Sequence, residues 1–250
     1  MIEAERKRLH FQNPPIIEAV ISFTVAPLPE STLGRFEACA ARMRSLGYIR
    51  AGTVSHHFFQ VRVESGASSI GSSDDQLGVR FNSEDSLHAV QFNRNAFVFS
   101  RLGRYDRWER LRDEAKKLWL VYSGASGGPK LLTAGVRYIN KLFIPNGKEP
   151  SEYVTAYPQL PSHIVPTISE MFMRIVSPIE NPPGRFIHNQ VLLPTEKEGF
   201  AAILFDNDFQ FPLEGKTEAE TWEMLEAVRE IKDRYFVDLT TERMRETFNA

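Results

Sequence analysis

Two hydrophobic periods alternate along this 250-residue chain, and the switches between them outline its elements. Ile16 to Val25 (IIEAVISFTV) is apolar and β-branched, which predicts a largely buried strand. Pro27 and Pro29 end it. From about Ser31 to Leu46 the period lengthens. Leu33, Phe36, Ala40, Met43 and Leu46 recur at steps of three and four, the stripe of an amphipathic helix, and Gly47 closes it as a C-cap residue. Period two returns at His57 to Val63, where Phe59, Val61 and Val63 share one side. It returns again at Leu77 to Phe81, Leu87 to Phe92 and Ala96 to Leu102. Gly66 to Asp75 (GASSIGSSDD) has the composition of a flexible loop. A second helix is expected from about Asp106 to Tyr122, with Trp108, Leu111, Ala115, Leu118, Trp119 and Tyr122 on one face.

Ser123 to Pro129 (SGASGGP) reads as a linker of small residues, and after it the order repeats. Leu131 to Ile144, Met171 to Val176, Arg185 to Leu193 and Gly199 to Phe211 are strand-like, with a short helix expected at Ser151 to Tyr157. Thr217 and Glu220 form a capping box that opens a helix to about Tyr235, its apolar face carrying Met224, Val228, Ile231 and Tyr235. Thr240 opens a last short helix with Met244 and Phe248 four apart. The expected fold class is therefore α+β: two similar halves, residues 1–123 and 130–250 around the 123–129 linker. Each is a mainly antiparallel sheet with helices packed on one face. One continuous α+β domain without duplication is the alternative.

Composition narrows the function classes. Hydrophobic residues make up 42% and charged residues 25%, the balance of an ordinary globular chain. A net charge of −2 argues against a protein that coats polyanions. The single Cys39 excludes an internal disulfide and any multi-cysteine metal site. No apolar run approaches the roughly 18–20 residues of a membrane helix. The start, MIEAERKRLHFQN, has no apolar signal core, so a cytoplasmic protein with no membrane association is expected.

Several short motifs stand in order: Asn13-Pro14-Pro15-Ile16-Ile17-Glu18-Ala19, then Gly135-Val136-Arg137-Tyr138-Ile139-Asn140, Asn189-Gln190, Phe205-Asp206-Asn207-Asp208, and Tyr235-Phe236 before Leu239-Thr240. In this order and spacing the chain resembles an uncharacterised, sporadically distributed bacterial family of similar length, marked by an N-terminal Asn-Pro-Pro-Ile-x-Glu-Ala segment. The resemblance spans residues 11 to 248. The family pattern has Leu at 136 and Leu-Asp-Ile-Asp near 205–208. Val136 and the Phe-Asp-Asn-Asp run depart from it and leave the role of Asn207 open. The resemblance implies no activity, cofactor or catalytic residue; patchy distribution is consistent with an accessory role at defence or toxin–antitoxin loci.

Candidate chemistry is sparse. Glu18 falls inside an apolar strand, where a buried carboxylate needs a partner, and Arg137 occupies a comparable place in the strand opening the second half. A Glu18–Arg137 pair is one expectation; solvent exposure of each is the other. Asp206 and Asp208 share a strand face, as two hard-cation ligands would, although Asp-Asn-Asp also suits a turn. The six histidines form no zinc spacing. His56 and His57 are adjacent and face opposite sides of a strand. Gly124-Ala125-Ser126-Gly127-Gly128 has the letters of a nucleophile elbow in the wrong order of elements, with a helix before it and a strand after it. Residues 94–117 hold eight basic against four acidic side chains, including Arg104, Arg107 and Arg110 at steps of three. Such a stretch suits phosphate or nucleic acid, and equally a solvated helix face. No cofactor is implied.

The leading expectation is a non-enzymatic interaction or regulatory module. It would bind a protein or ligand in a groove between the halves, rimmed by Glu18, Arg137, Tyr138, Asn140, Asn189 and Gln190. A protein partner or homo-oligomer fits this reading. A metal-dependent hydrolase or nucleotide-processing enzyme using Asp206 and Asp208 is the second reading. A nucleic-acid binder using Arg104, Arg107 and Arg110 is the third.

Overall fold

A computed structural model describes residues 11–64, 67–159, 161, 163, 168–193 and 197–249; side chains of residues 56–75 lie outside the description. The fold is α+β, and the described residues form nine strands in one antiparallel sheet. They are β1 (Ile16–Val25), β2 (Tyr48–Glu64), β3 (Ala67–Ser83), β4 (His88–Asn93), β5 (Ala96–Leu102), β6 (Leu131–Pro145), β7 (Met171–Ile179), β8 (Gly184–Leu193) and β9 (Phe200–Pro212). Their order is β2-β3-β4-β5-β1-β6-β9-β8-β7. The helices are α1 (Thr32–Ala38), α2 (Ala40–Ser45), α3 (Trp108–Ser126), α4 (Glu218–Leu239) and α5 (Glu242–Glu246). Among the described residues no helix is long and apolar enough to cross a membrane.

The chain forms two compact units. One comprises Val20–Leu102 and Glu109–Thr133, the other Met1–Ala19, Gly103–Trp108 and Ala134–Ala250. The Ser123–Pro129 stretch lies inside the first. Helix α3 runs through its start as far as Ser126, and Gly127 and Gly128, at φ of 80° and 72°, then turn the chain toward β6.

In the first unit the core is aromatic. Phe23, Phe36, Phe81, Phe92, Phe97, Phe99, Trp119 and Tyr122 are all fully buried. Trp119 meets Phe23 edge-on at 4.9 Å, and Tyr122 stacks on Phe36 at 5.4 Å, so α1 and α3 rest against the sheet through rings. Tyr122 Oη donates to the Asn93 carbonyl (2.9 Å) and Tyr48 Oη to Glu114 (2.8 Å). These bonds satisfy the polar ends of otherwise apolar side chains.

Two expectations differ here. The helix foreseen at Ser31 to Leu46 is two helices, separated at Cys39, whose amide bonds to Phe36 by a short 3₁₀-type step. The loop foreseen at Gly66 to Asp75 carries strand β3 backbone from Ala67 to Asp75 instead, paired with β2 from Glu64↔Ala67 to Tyr48↔Ser83, while Gly66 lies outside the described residues. Backbone pairing does not depend on side-chain apolarity, which is why the serine-rich composition misleads. His56 and His57 lie on β2, their side chains outside the described set.

The second unit holds the order β6-β9-β8-β7, joined by the first residues of β1. Leu142, Ile144, Ile203 and Phe205 pack with Tyr153, Val154, Met244 and Phe248 in one apolar cluster. Thr217 and Glu220 form the expected capping box at the start of α4. The expected helix at Ser151 to Tyr157 is only a 3₁₀ turn, Pro150–Glu152.

Burial raises the phenols of Tyr48 and Tyr122 above the ordinary tyrosine value of 10.0, and Tyr138 in the second unit likewise. The folded chain keeps protons that the unfolded chain releases above pH 10, so stability present below that pH falls as pH rises beyond it. Urea unfolding followed from pH 8 to 11 is expected to show a constant midpoint up to about pH 9.5 and a steep loss above it. Replacing Tyr48 with Phe is expected to flatten that loss.

Candidate binding site

Side chains of a strand alternate between faces, and in β6, β8 and β9 the alternation separates two sets of polar groups. Toward the helices, β6 presents Val136, Tyr138, Asn140, Leu142 and Ile144. β9 presents Ile203, Phe205, Asn207, Phe209 and Phe211; β8 presents Phe186, His188 and Gln190. All are buried. Polar side chains in such rows must find partners or leave a desolvation cost of about 1–3 kcal/mol each.

Some do. His188 Nδ1 lies 2.6 Å from Asn207 Oδ1, and since an amide oxygen only accepts, the ring nitrogen donates. His188 Nε2 lies 3.3 Å from Gln190 Oε1, while Gln190 Nε2 is buried without a partner. The ring of His188 is fixed between Phe186 (stacked, 6.0 Å) and Phe205 (edge-on, 4.9 Å). Asn207 is thereby held with its oxygen committed to His188. Among the described residues neither its Nδ2 nor the side chain of Asn140, which is 2% exposed, makes a hydrogen bond to protein, but of these side chains only Gln190 has an atom both enclosed and unpartnered.

Both amides line a cavity of about 100 Å³. Its walls are rings from Phe11, Tyr105, Tyr138, Phe209 and Phe236, with Pro14, Pro15 and Ile16 and the acidic residues Asp106 and Asp233 completing the lining. Tyr105 and Tyr138 meet edge-on at 5.6 Å, with their hydroxyls 3.4 Å apart. Lys232 reaches in from α4, its Nζ 4.4 Å from the centre of the Tyr138 ring, and pairs with Asp233. Burial pushes the Lys232 amine below the ordinary lysine value and the Tyr138 phenol well above the usual tyrosine range. Both shifts report a poorly solvated recess in which hydrogen bonds are strong.

The opposite face carries a separate network. Arg137 Nε and Nη2 donate to the two oxygens of Asp206 at 2.5 and 2.8 Å, and Asn189 Nδ2 donates to the same carboxylate at 3.0 Å. Arg174 Nη1 donates to Asn189 Oδ1 at 3.1 Å. Glu18 acts on Arg137 through its charge, while the direct ion pair of Arg137 is with Asp206. Asp208 accepts from Gln210, and burial raises its carboxyl above the usual aspartate value.

The six residues expected to rim one recess are thus divided by the strand alternation. Arg137 and Asn189 bond to Asp206, with Glu18 acting on Arg137 through its charge alone; Tyr138, Asn140 and Gln190 lie on the helix side. Asp206 and Asp208 share a face as expected, but three N–H donors already occupy the Asp206 carboxylate. Among the described residues no group of three or more His, Cys, Asp or Glu is placed to hold a metal ion. Arg104 and Arg107 are exposed and precede α3, which starts at Trp108; Arg110 is exposed in its first turn. Lys232, Asn207, His188 and Tyr105 were not foreseen as site residues. The signal for Asn207 and His188 was a polar letter at a core-facing position of a strand. For Lys232 it was a place beside Ile231, four after Val228 and three before Tyr235, at the edge of the apolar stripe.

Truncating Arg137 to Ala leaves Asp206 mostly buried with Asn189 alone. Because Arg137 is itself half-exposed, the expected loss is about 2 kcal/mol in urea unfolding rather than the larger cost of a fully buried pair. Adding Asp206→Asn to Arg137→Ala is expected to recover at least half of it. An additive double variant would show that the pair contributes nothing.

No protein-family model matches the chain, and no curated protein does so either.

Proposed function

We propose that the chain is a non-enzymatic binding module whose recess between the β6–β9 strands and α4 receives a small ligand. The observation that carries this reading is Asn140. It is a core amide, 2% exposed, that lines a cavity and that no hydrogen bond among the described residues uses. Asn207, held by His188 with its nitrogen unpartnered, repeats the pattern. Rigid strands supply both groups, so little ordering is needed on binding. Aromatic walls with a few convergent polar groups are the ordinary construction of a small-molecule site.

The other readings draw less support. A hydrolase using Asp206 and Asp208 would have to displace Arg137 before an ion could bind. A nucleic-acid surface through Arg104, Arg107 and Arg110 has exposed cations in its favour and no built recess. The resemblance to the sporadic bacterial family, with its accessory setting, is compatible with a binding role and adds no chemistry to it.

Asn140→Leu separates a ligand-binding amide from a structural one. If Asn140 serves a ligand, leucine removes a polar group that bonds no protein atom, and the free protein keeps its stability or gains up to about 1 kcal/mol in urea unfolding. A loss of that size or more would mean that Asn140 has a structural partner, and the binding reading would fall.

A further inference from the structure

Strand β6 outlasts the start of its neighbour β1, and the space this leaves is lined with cations. The Lys141 amide donates to the Pro15 carbonyl. Pro14 and Pro15 carry no amide hydrogen, so neither extends the ladder as a donor. The next amide, that of Asn13, donates to the Phe248 carbonyl just past α5, and the chain leaves β6, which runs on to Pro145. Beside it opens a groove of about 700 Å³, within the range of roughly 300–1,000 Å³ usual for small-molecule sites.

The charged lining of this groove is three cations, Lys141, Lys197 and Arg243, and one carboxylate, Glu246. Arg243 also pairs with Glu152. Rings place the cations. Lys197 Nζ lies 4.0 Å from the centre of the Phe200 ring and 4.7 Å from that of Phe143, and Lys141 Nζ lies 5.6 Å from the same Phe143 ring. The two rings meet edge-on at 6.4 Å. Arg243 stands 5.1 Å from the centre of the Tyr153 ring. A ring face attracts an ammonium and confines its long stem, so less freedom is lost when a ligand arrives. Two ammonium groups drawn to one ring repel each other, and an anion between them removes that repulsion. Much of the remaining lining is apolar, including Pro14, Pro15, Pro145 and Ile17, which is 42% exposed.

We propose that this groove binds an amphiphilic anion, with a phosphate or carboxylate head between Lys141 and Lys197 and an apolar body along Pro15, Ile17 and Pro145. A neutral apolar molecule would leave the cations unpaired, and a bare inorganic anion would leave the apolar lining wet. The groove shares Pro14, Pro15 and Ile16 with the Asn140 recess but none of its polar groups, and the proposal does not rest on the reading of that recess.

Calorimetric titration of the whole chain at low salt tests this with octyl phosphate, octanoate, octyltrimethylammonium and inorganic phosphate. Octyl phosphate is expected to saturate one site, at least tenfold tighter than octyltrimethylammonium or inorganic phosphate. Its binding is expected to weaken at least tenfold in the double variant Lys141→Glu, Lys197→Glu and to be unchanged in Asn140→Leu. Lys197 is exposed and Lys141 half-buried, so charge reversal is expected to leave the urea midpoint close to that of the parent. The comparison of probes on the unaltered protein stands even if the double variant folds poorly. Octanoate binding as tight as octyl phosphate assigns the groove to anionic heads in general; tenfold weaker binding assigns it to phosphate. Equal binding of octyltrimethylammonium or of inorganic phosphate overturns the proposal, as does the absence of binding by any probe. Octyl phosphate binding that survives the lysine reversals and is lost in Asn140→Leu also overturns it, and places the ligand in the recess instead.

Discussion

A polar group on the core-facing side of a strand has nowhere to hide, and that constraint organises the second unit. Strand alternation gives each residue of β6, β8 and β9 one face only. Asn140, His188, Gln190 and Asn207 are set among phenylalanines, leucines and isoleucines on the side that α4 covers. Water cannot reach most of them, so each must be bonded within the protein or carry a cost. His188 and Asn207 meet that demand for one another at 2.6 Å, and the rings of Phe186 and Phe205 hold the imidazole in place. Asn140 lines a cavity, and no hydrogen bond among the described residues uses its side chain. A cavity lined by a core amide is the physical content of the binding proposal.

The other face of the same strands resolves its polar groups differently. Arg137, Asp206, Asn189 and Arg174 form a connected chain of charge-assisted bonds. A bidentate arginine on a carboxylate that retains little exposure fixes both side chains. One sheet therefore carries a saturated network on one side and an unsaturated recess on the other. Only the second can gain from a ligand without first breaking what is there.

Much of the fold was legible from the sequence because period and punctuation agree. The strands at 16–25 and 96–102, the Thr217–Glu220 capping box and the Met224, Val228, Ile231 stripe all follow local rules. What escaped depends on neighbours. Glu18 and Arg137 look like a pair along the sequence, but β6 lies between β1 and β9, and Asp206 on β9 offers Arg137 both of its oxygens. Lateral order is not written in any single strand. The rim residues were sought as one set because each is polar in an apolar segment. Their parity divides them, since Arg137 and Tyr138 are adjacent and must face opposite ways. The same parity rule, applied to Asn207 between two aspartates, would have placed it on the core side. The serine-rich 66–75 run fails for another reason: a ladder of backbone bonds can continue where side chains carry no apolar signal.

The most direct measurement of the central claim is a high-resolution crystal structure of the free protein. The account predicts the Asn140 amide facing an open cavity, with solvent or a captured small molecule as its only hydrogen-bond partner and Asn207 Nδ2 exposed beside it. An Asn140 side chain bonded to another protein group, with the Tyr105, Tyr138 and Phe236 rings closed over the space, would contradict it.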